Sequence, residues 1–196
     1  MVFEHYQPHV QSLARQCFFQ VCEVSSSLPP VPVPPLQPSI SRLPSWVPPP
    51  VGYLKINFDV VVRASGCSSG LVVRGTDGHV ALAVGFQHPG IVDPYLTELL
   101  AARDAISLLV SKSLPRVIIE GDSEVVIRQL CHGISLDSLR GPMLRDCLQL
   151  LSSVSVSLEF RAVPRTANRA AHRVARKALL LSPLEICSFD FVGWLH

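Results

Sequence analysis

Three carboxylates, Asp59, Glu98 and Asp122, stand at positions from which they could act together. Asp59 lies near the end of the first predicted strand, Glu98 near the start of a predicted helix, and Asp122 just after a strand that is almost wholly apolar. Several acidic oxygens that converge on one point are the kind of site with which proteins hold Mg²⁺. The sequence therefore predicts a divalent-metal site, provided that the fold brings these residues together.

Glu98 lies on the apolar side of its predicted helix. The residues four, seven and eleven positions further on are Ala102, Ala105 and Leu109, whereas Asp104 falls on the opposite side. A carboxylate on a buried helix face needs a cationic partner or a metal ion. The alternative is a glutamate near a helix N-terminus, where the helix dipole favours negative charge, and the sequence leaves both interpretations open.

Asp59 and Asp122 each have an ordinary interpretation as well. Asp59 points away from the apolar side chains of Ile56 and Phe58, so a solvated strand residue would explain it. Asp122 follows Glu120 at a strand end, where it could cap the next helix. The carboxyl end of a central strand is also where α/β folds place their ligands, so it is the conjunction of three acids that favours a metal site.

The elements that must position these residues can be read from the periodicity of apolar residues. Predicted strands cover residues 54–61, 70–74, 79–84, 117–120 and 154–162, and predicted helices cover 94–111, 123–130, 139–151 and 167–181. The order βββαβααβα predicts an α/β fold with a five-stranded mixed sheet flanked by helices. The first three strands follow each other through short connections, so we expect them to be antiparallel.

Proline content divides the chain. Ten of the 17 prolines lie in residues 29–50, which are expected to form an extended linker. The linker separates an N-terminal segment of unknown role, residues 1–28, from one domain, residues 51–181, and residues 182–196 form a C-terminal tail. The run Pro29–Pro35 could also bind an SH3- or WW-type domain, which would make the protein an interaction adaptor.

Composition excludes several classes of protein. Of 196 residues, 48% are hydrophobic and 16% charged, and the net charge of +2 is too small for a protein that binds nucleic acid through bulk charge. No run of 18 apolar residues indicates a membrane span, and the N-terminus does not resemble a signal peptide. The six cysteines lack zinc-finger spacing. We therefore expect an intracellular monomer without a membrane partner.

Positive charge is concentrated near the last predicted helix. Six of the 17 basic residues fall between Arg161 and Lys177, with no acid among them. Four of them, Arg169, Arg173, Arg176 and Lys177, share one helical face that could contact phosphates. A solvated helix face is the alternative, although acids would then be expected among the bases.

Five blocks in order resemble the plant reverse-transcriptase-like ribonuclease H domains found in retroelement-derived genes. The blocks, which span about residues 46–181, are Trp46–Asp59, Gly70–Arg74 with Gly78, Thr97–Ala101, Glu120–Ser123 and Val163–Arg169. The resemblance implies a ribonuclease H-like fold and a nuclease that uses two Mg²⁺ ions, or Mn²⁺ in their place, to cut the RNA strand of RNA–DNA hybrids. Two such ions can activate water on one side of a phosphodiester and stabilise the leaving oxygen on the other.

The same resemblance implies roles for individual residues. Asp59 would bridge both ions, and Glu98 and Asp122 would complete one of them. The fourth carboxylate of the family is replaced here by His172, which would join the catalytic set but suits Mg²⁺ poorly and therefore implies attenuated activity. Arg165 and Asn168 stand where bacterial-type enzymes have a loop histidine, and with the basic helix face they form the expected nucleic-acid surface. A catalytically silent nucleic-acid-binding remnant is the alternative function.

Overall fold

The computed structural model describes residues 45–114, 116–132, 141–153 and 155–180. These residues form five strands and four helices in the predicted order. The strands are β1 (Leu54–Arg63), β2 (Gly66–Arg74), β3 (Val80–Pro89), β4 (Arg116–Gly121) and β5 (Ser157–Ala162), and the helices are α1 (Pro94–Lys112), α2 (Glu124–His132), α3 (Gly141–Ser152) and α4 (Arg169–Ala178). The N-terminal segment, the proposed SH3 or WW ligand and the C-terminal tail lie outside the described residues.

The strands form one mixed sheet in the order β3-β2-β1-β4-β5. The three first strands are antiparallel, as predicted, and β4 runs parallel to both β1 and β5. The apolar sequence of β4 explains its place beside the central strand, because a parallel strand covered on both faces needs apolar side chains on both sides. The α/β mixed-sheet prediction is therefore confirmed.

Helices cover the sheet on both faces. Helix α1 packs on β1 and β2, with α2 and α3 beside it, over a core that includes Ile56, Phe58 and Ile119. Helix α4 lies on the other face against β1, β2 and β3, and its apolar side contributes Ala171 and Val174 to a second, smaller cluster. The two layers place the starts of α1 and α4 near the middle of β1.

Strands β1 and β2 are longer than their apolar residues indicate. β1 continues to Arg63, so Asp59 lies in the middle of the strand and the expectation of a strand-end aspartate was wrong. β2 begins at Gly66, because the buried residues Ser68 and Ser69 pair with β1 on one side and with β3 on the other. Pairing on both sides satisfies the backbone N–H and C=O groups of this segment. Its small polar side chains gave no sign in the sequence that the segment is buried.

Residues 46–50 lie against the domain although they belong to the proline-rich stretch. The Trp46 indole donates a hydrogen bond to the Asn57 side chain at 2.8 Å, and the Arg74 guanidinium lies 4.5 Å from the centre of the ring. The Lys55 ammonium donates to the carbonyl of Val47 at 2.6 Å. This part of the expected linker is thus fixed to the first two strands.

Glycine permits the closest contact between the sheet and α4. A Cβ on Gly70 would lie 2.2 Å from the backbone nitrogen of Ala175 and 2.4 Å from the carbonyl oxygen of Ala171, whereas a Cβ on Gly85 would meet chiefly the Ala178 methyl group, at 2.4 Å. We expect Gly70→Ala to lower the free energy of unfolding by at least about 2 kcal/mol. Ala175→Gly should not rescue it, because backbone atoms cause the clash.

Gly85→Ala provides the matched control. Since the Ala178 methyl group is the main obstacle there, Ala178→Gly should recover most of the stability that Gly85→Ala loses. Urea unfolding of the two single and two double variants checks both expectations. Rescue of Gly70→Ala by Ala175→Gly would show that the backbone of α4 can move away from the sheet.

Candidate metal centre

The structure brings Asp59, Glu98 and Asp122 together. One carboxylate oxygen from each residue lies within 4.8 Å of the other two, and no other group of three or more such ligands occurs among the described residues. Asp59 comes from the middle of β1 and Asp122 from the end of the neighbouring parallel strand β4. Glu98 reaches them from the second turn of α1, whose start is fixed by Asp93, the acceptor of a 2.9 Å hydrogen bond from the backbone of Leu96.

A buried polar network lies under the two aspartates. Asn57 and Glu120 are register partners on β1 and β4, each two residues before an aspartate of the site, and the Asn57 amide donates to Glu120 at 2.9 Å. The Lys55 ammonium completes the network at 2.7 Å from the other Glu120 oxygen. All three side chains are buried, so they fix the two strands that carry Asp59 and Asp122.

The three carboxylates repel one another in a poorly solvated place. Burial, followed by the charge of Asp122, raises the pKa of Asp59 to about 6. Burial, followed by the charges of Asp122 and Asp59, raises the pKa of Glu98 to about 8. Glu98 Oε2 and Asp122 Oδ1 are buried and have no hydrogen-bond partner within the part of the chain that the structure describes. The site offers several carboxylate oxygens and too little positive charge to neutralise them. Such a site fits a divalent cation such as Mg²⁺ or Mn²⁺.

The raised pKa of Glu98 predicts how stability depends on pH without metal. Between about pH 4.5 and pH 8 the folded protein keeps a proton that the unfolded chain releases, so the free energy of unfolding falls as the pH rises. We expect Glu98→Gln to be more stable than the parent at pH 8 by about 1–3 kcal/mol, less than the full shift implies because Glu98 is partly solvated. The difference should shrink towards pH 5.

Urea unfolding in EDTA at both pH values measures this effect. Glu124→Gln is the control, because it removes an exposed carboxylate that pairs with Arg128, one turn further along α2. It should change stability by less than about 0.5 kcal/mol at either pH. A Glu98→Gln variant that is no more stable than the parent at pH 8 would show that burial and the neighbouring acids do not raise the pKa of Glu98 in the folded protein.

His172 contacts the cluster from α4. Its Nδ1 lies 3.0 Å from Asp59 Oδ2, the geometry of a hydrogen bond in which the imidazole donates, and its side chain is 49% exposed. The other Asp59 oxygen accepts a 2.8 Å hydrogen bond from the backbone of Val60. His172 therefore points at the site, as its place on the helix allowed, and contacts it through Asp59.

Arg165 and Asn168, two of the predicted nucleic-acid contacts, differ in how far their side chains are exposed to solvent. Arg165 is exposed, and its Nε donates to Asp122 Oδ2 at 3.0 Å. Asn168 is only 1% exposed, and its amide donates to the backbone carbonyl of Phe58 at 2.7 Å. Asn168 therefore joins α4 to β1 beside Asp59 in this structure, and its contact with nucleic acid, which the resemblance implied, stays a prediction.

The basic residues of α4 share the side of the helix that faces away from the sheet. Arg169 and Arg176 are exposed, Arg173 and Lys177 are partly exposed, and the alanines and Val174 of the other side are buried. The basic face begins at the same end of the helix as His172. A phosphate backbone that crossed the carboxylates could thus continue along α4.

Asp104 differs from its sequence-based interpretation. It is buried, accepting a 2.5 Å hydrogen bond from Ser69 and lying 2.8 Å from His88 Nε2. Neither Ser69 nor His88 stood out in the sequence, because their partner lies on another element and no local pattern reports such contacts. The cluster joins α1 to β2 and β3, and so supports the helix that carries Glu98.

Comparison with known proteins identifies the family. A family model described as reverse transcriptase-like matches residues 57–178, which include all four predicted catalytic positions. The chain belongs to the reverse transcriptase-like family. The resemblance of this chain to ribonuclease H domains, inferred from the five sequence blocks, is confirmed by both sequence and structural relatives.

The relatives of this reverse transcriptase-like chain carry ribonuclease H names. A protein of Arabidopsis thaliana named as a ribonuclease H is 34% identical over 159 residues, which are 80% of this chain and 25% of that protein. The chain thus spans about a quarter of the length of the curated relative that it matches.

No helix among the described residues is long and apolar enough to cross a bilayer.

Solved structures agree on the fold. Ribonuclease H1 of Halobacterium salinarum matches with a TM-score of 0.58 at 21% identity, over 65% of this chain and 98% of that one. The LC11 ribonuclease H1, solved in complex with an RNA/DNA hybrid, matches with a TM-score of 0.55 at 18% identity, over 64% of this chain and 99% of that one. The reverse transcriptase-like domain therefore has the ribonuclease H fold.

Proposed function

We propose that this chain is a metal-dependent ribonuclease H that hydrolyses the RNA strand of RNA–DNA hybrids. The observation that supports the proposal most strongly is the convergence of three carboxylates from distant parts of the sequence, within 4.8 Å of one another. They lie on the ribonuclease H fold beside a helix with a basic face. Such a combination of a divalent-metal site and a phosphate-binding surface suits a phosphodiesterase.

The residues present fit the divalent ions that the family implies. Asp59, Glu98 and Asp122 would together hold the two Mg²⁺ ions. When bound, such ions supply an activated water and stabilisation of the leaving oxygen. The chain itself fixes the ligands: Val60 and His172 hold Asp59, and the strands beneath Asp59 and Asp122 are joined by Asn57 and Glu120.

The hybrid is the proposed substrate because a structural relative, LC11 ribonuclease H1, was solved in complex with one. On this chain the basic face of α4 would contact the phosphates, and no base-reading element is required. Binding of this type depends on counterion release and weakens as the salt concentration rises. The sequence of the hybrid should therefore matter little.

The basic face predicts a specific dependence on salt. Replacing Arg169 and Arg176, the two exposed arginines of α4, with alanine should weaken binding of an RNA–DNA hybrid about 10-fold at low salt. It should also reduce the slope of log affinity against log salt by about 2. Fluorescence anisotropy at several salt concentrations measures both quantities.

A matched control is the double alanine variant at Arg116 and Arg128, which are exposed on β4 and α2. It removes the same charge elsewhere on the domain. Equal losses in the two double variants would mean that net charge, and not the face of α4, governs binding.

A second function is favoured by one observation, the presence of His172 beside Asp59. An imidazole at this position adds no negative charge, and it is a poor ligand for Mg²⁺. The chain would then be a catalytically silent module that binds nucleic acid. It would bind the hybrid through α4 without cutting it.

Cleavage of a hybrid labelled on its RNA strand separates the two functions. The parent is incubated with Mg²⁺, with Mn²⁺ or with EDTA, and all-RNA and all-DNA duplexes serve as substrate controls. Metal-dependent cleavage of the hybrid alone supports the nuclease. Binding of the hybrid without cleavage in either metal would contradict it and support the silent module.

A further inference from the structure

Arg165 occupies an unusual place for an exposed arginine. Its side chain is 91% exposed, yet its Nε donates at 3.0 Å to Asp122, whose side chain is only 9% exposed. Arg165 belongs to the short turn between β5 and α4, in which the backbone of Ala167 donates to Pro164 and that of Asn168 donates to Arg165. The backbone is thus fixed by the turn, while the guanidinium lies in solvent apart from its contact with Asp122.

The charge of Arg165 acts on the whole metal centre. The hydrogen bond and the charge of Asp122 raise the pKa of the Arg165 guanidinium, and the charges of Asp59 and Glu98 act in the same direction. Among the described residues, Arg165 is the guanidinium that contacts the carboxylate cluster. It therefore supplies positive charge to a group of acids that would otherwise repel one another.

Divalent ions would make that charge superfluous. Two Mg²⁺ ions bring four positive charges to three carboxylates, so a nearby guanidinium would be repelled from the site. An ion pair with one exposed partner is weak, so little opposes its release. A guanidinium released at this place would lie beside the metal centre, at the start of the basic face of α4, where a phosphate group would be the available anion.

We propose that Arg165 is an exchangeable counter-ion, which neutralises Asp122 in the metal-free protein and moves to a phosphate of the nucleic acid when metal binds. The proposal rests on the proposed metal site. It makes metal binding and nucleic-acid binding mutually favourable, because metal releases the group that the phosphate then takes up. It also gives Arg165 a different role from that of the arginines of α4, which have no part in metal binding.

Removal of this guanidinium should have opposite effects on the two ligands. Arg165→Ala is expected to bind Mg²⁺ about 3- to 10-fold more tightly in the absence of nucleic acid, because a competing charge is lost. In the presence of Mg²⁺ it should bind a hybrid about 3- to 10-fold more weakly, because a phosphate contact is lost. An arginine that served only to orient Asp122 would weaken both interactions when removed.

Isothermal titration with Mg²⁺ measures the first effect, and fluorescence anisotropy with a hybrid whose RNA strand is 2′-O-methylated measures the second without cleavage. Arg128→Ala is the matched control, since Arg128 is also an exposed arginine paired with a carboxylate, that of Glu124. It should leave both affinities unchanged. Thermal unfolding of each variant without metal verifies that the fold is retained.

The outcomes are distinguishable. Tighter Mg²⁺ binding together with weaker hybrid binding in Arg165→Ala supports the exchange. Unchanged or weaker Mg²⁺ binding in that variant, with clear binding by the parent, overturns the exchange and leaves the metal site intact. No Mg²⁺ binding by either protein overturns the exchange and the proposed metal site together.

Discussion

Asp59→Asn is expected to reduce metal-dependent cleavage of an RNA–DNA hybrid by about three orders of magnitude. Asp59 is one of the three carboxylates of the cluster, and the substitution removes its charge while keeping its size. An asparagine can still accept the hydrogen bond from Val60. The loss would therefore reflect metal binding and not a change in the position of β1.

Stability distinguishes this interpretation from unfolding. Burial and the charge of Asp122 raise the pKa of Asp59 to about 6, so the ionised carboxylate destabilises the metal-free fold at neutral pH. Asp59→Asn should accordingly unfold at a higher urea concentration than the parent in EDTA, while it loses activity. Asp77→Asn, in the exposed turn before β3, is the control and should retain full cleavage. Cleavage by Asp59→Asn within 10-fold of the parent would contradict the assignment.

His172→Asp is expected to have the opposite effect and to raise Mg²⁺-dependent cleavage at least about 10-fold. The parent imidazole lies 3.0 Å from Asp59, so a carboxylate at this position would extend the cluster towards α4. It adds an oxygen ligand and a negative charge, both of which favour Mg²⁺. The gain should be smaller with Mn²⁺, because Mn²⁺ accepts the imidazole of the parent.

The ratio of the rates in Mg²⁺ and Mn²⁺ is the informative measurement. His172→Asn serves as the control, since it supplies an oxygen without a charge and should give little of the gain. A fourth acid should also lower the stability of the metal-free protein, which urea unfolding in EDTA would detect. If His172→Asp cleaves no faster than the parent in Mg²⁺, His172 does not occupy a metal-ligand position.

The sequence was sufficient to predict the convergence of the three acids. Asp122 follows an almost wholly apolar strand, which placed it at the end of a buried parallel strand. Glu98 lies on the apolar stripe of its helix, which directed it towards the sheet. Both inferences use local periodicity, and local periodicity is what one sequence reports reliably. The predicted element order and the mixed sheet follow from the same signal.

The supporting contacts could not be predicted in this way. Asn57 and Glu120 are 63 residues apart and meet only because β1 and β4 are parallel neighbours in one register. Asp104 appeared to face solvent, since its partners Ser69 and His88 come from β2 and β3. Buried polar groups are satisfied by whichever element lies opposite them, so their pairing becomes visible only in the assembled fold.

Asn168 shows the same limit of prediction from sequence, here at the start of a helix. The resemblance placed it on the expected nucleic-acid surface, and nothing in the local sequence indicated that its side chain is buried. In the structure the amide instead binds the carbonyl of Phe58, one residue before Asp59. The side chain thus joins α4 to β1, a contact between distant elements that the sequence alone does not report.

The central claim is that Asp59, Glu98 and Asp122 together bind divalent cations. Crystals of the protein grown or soaked in Mn²⁺, measured for anomalous scattering, test it most directly. The account predicts an anomalous peak between these side chains, with oxygen atoms of at least two of them about 2.0–2.3 Å from the ion. A well-ordered site without such a peak at millimolar Mn²⁺, or with the three carboxylates turned away from one another, would contradict it.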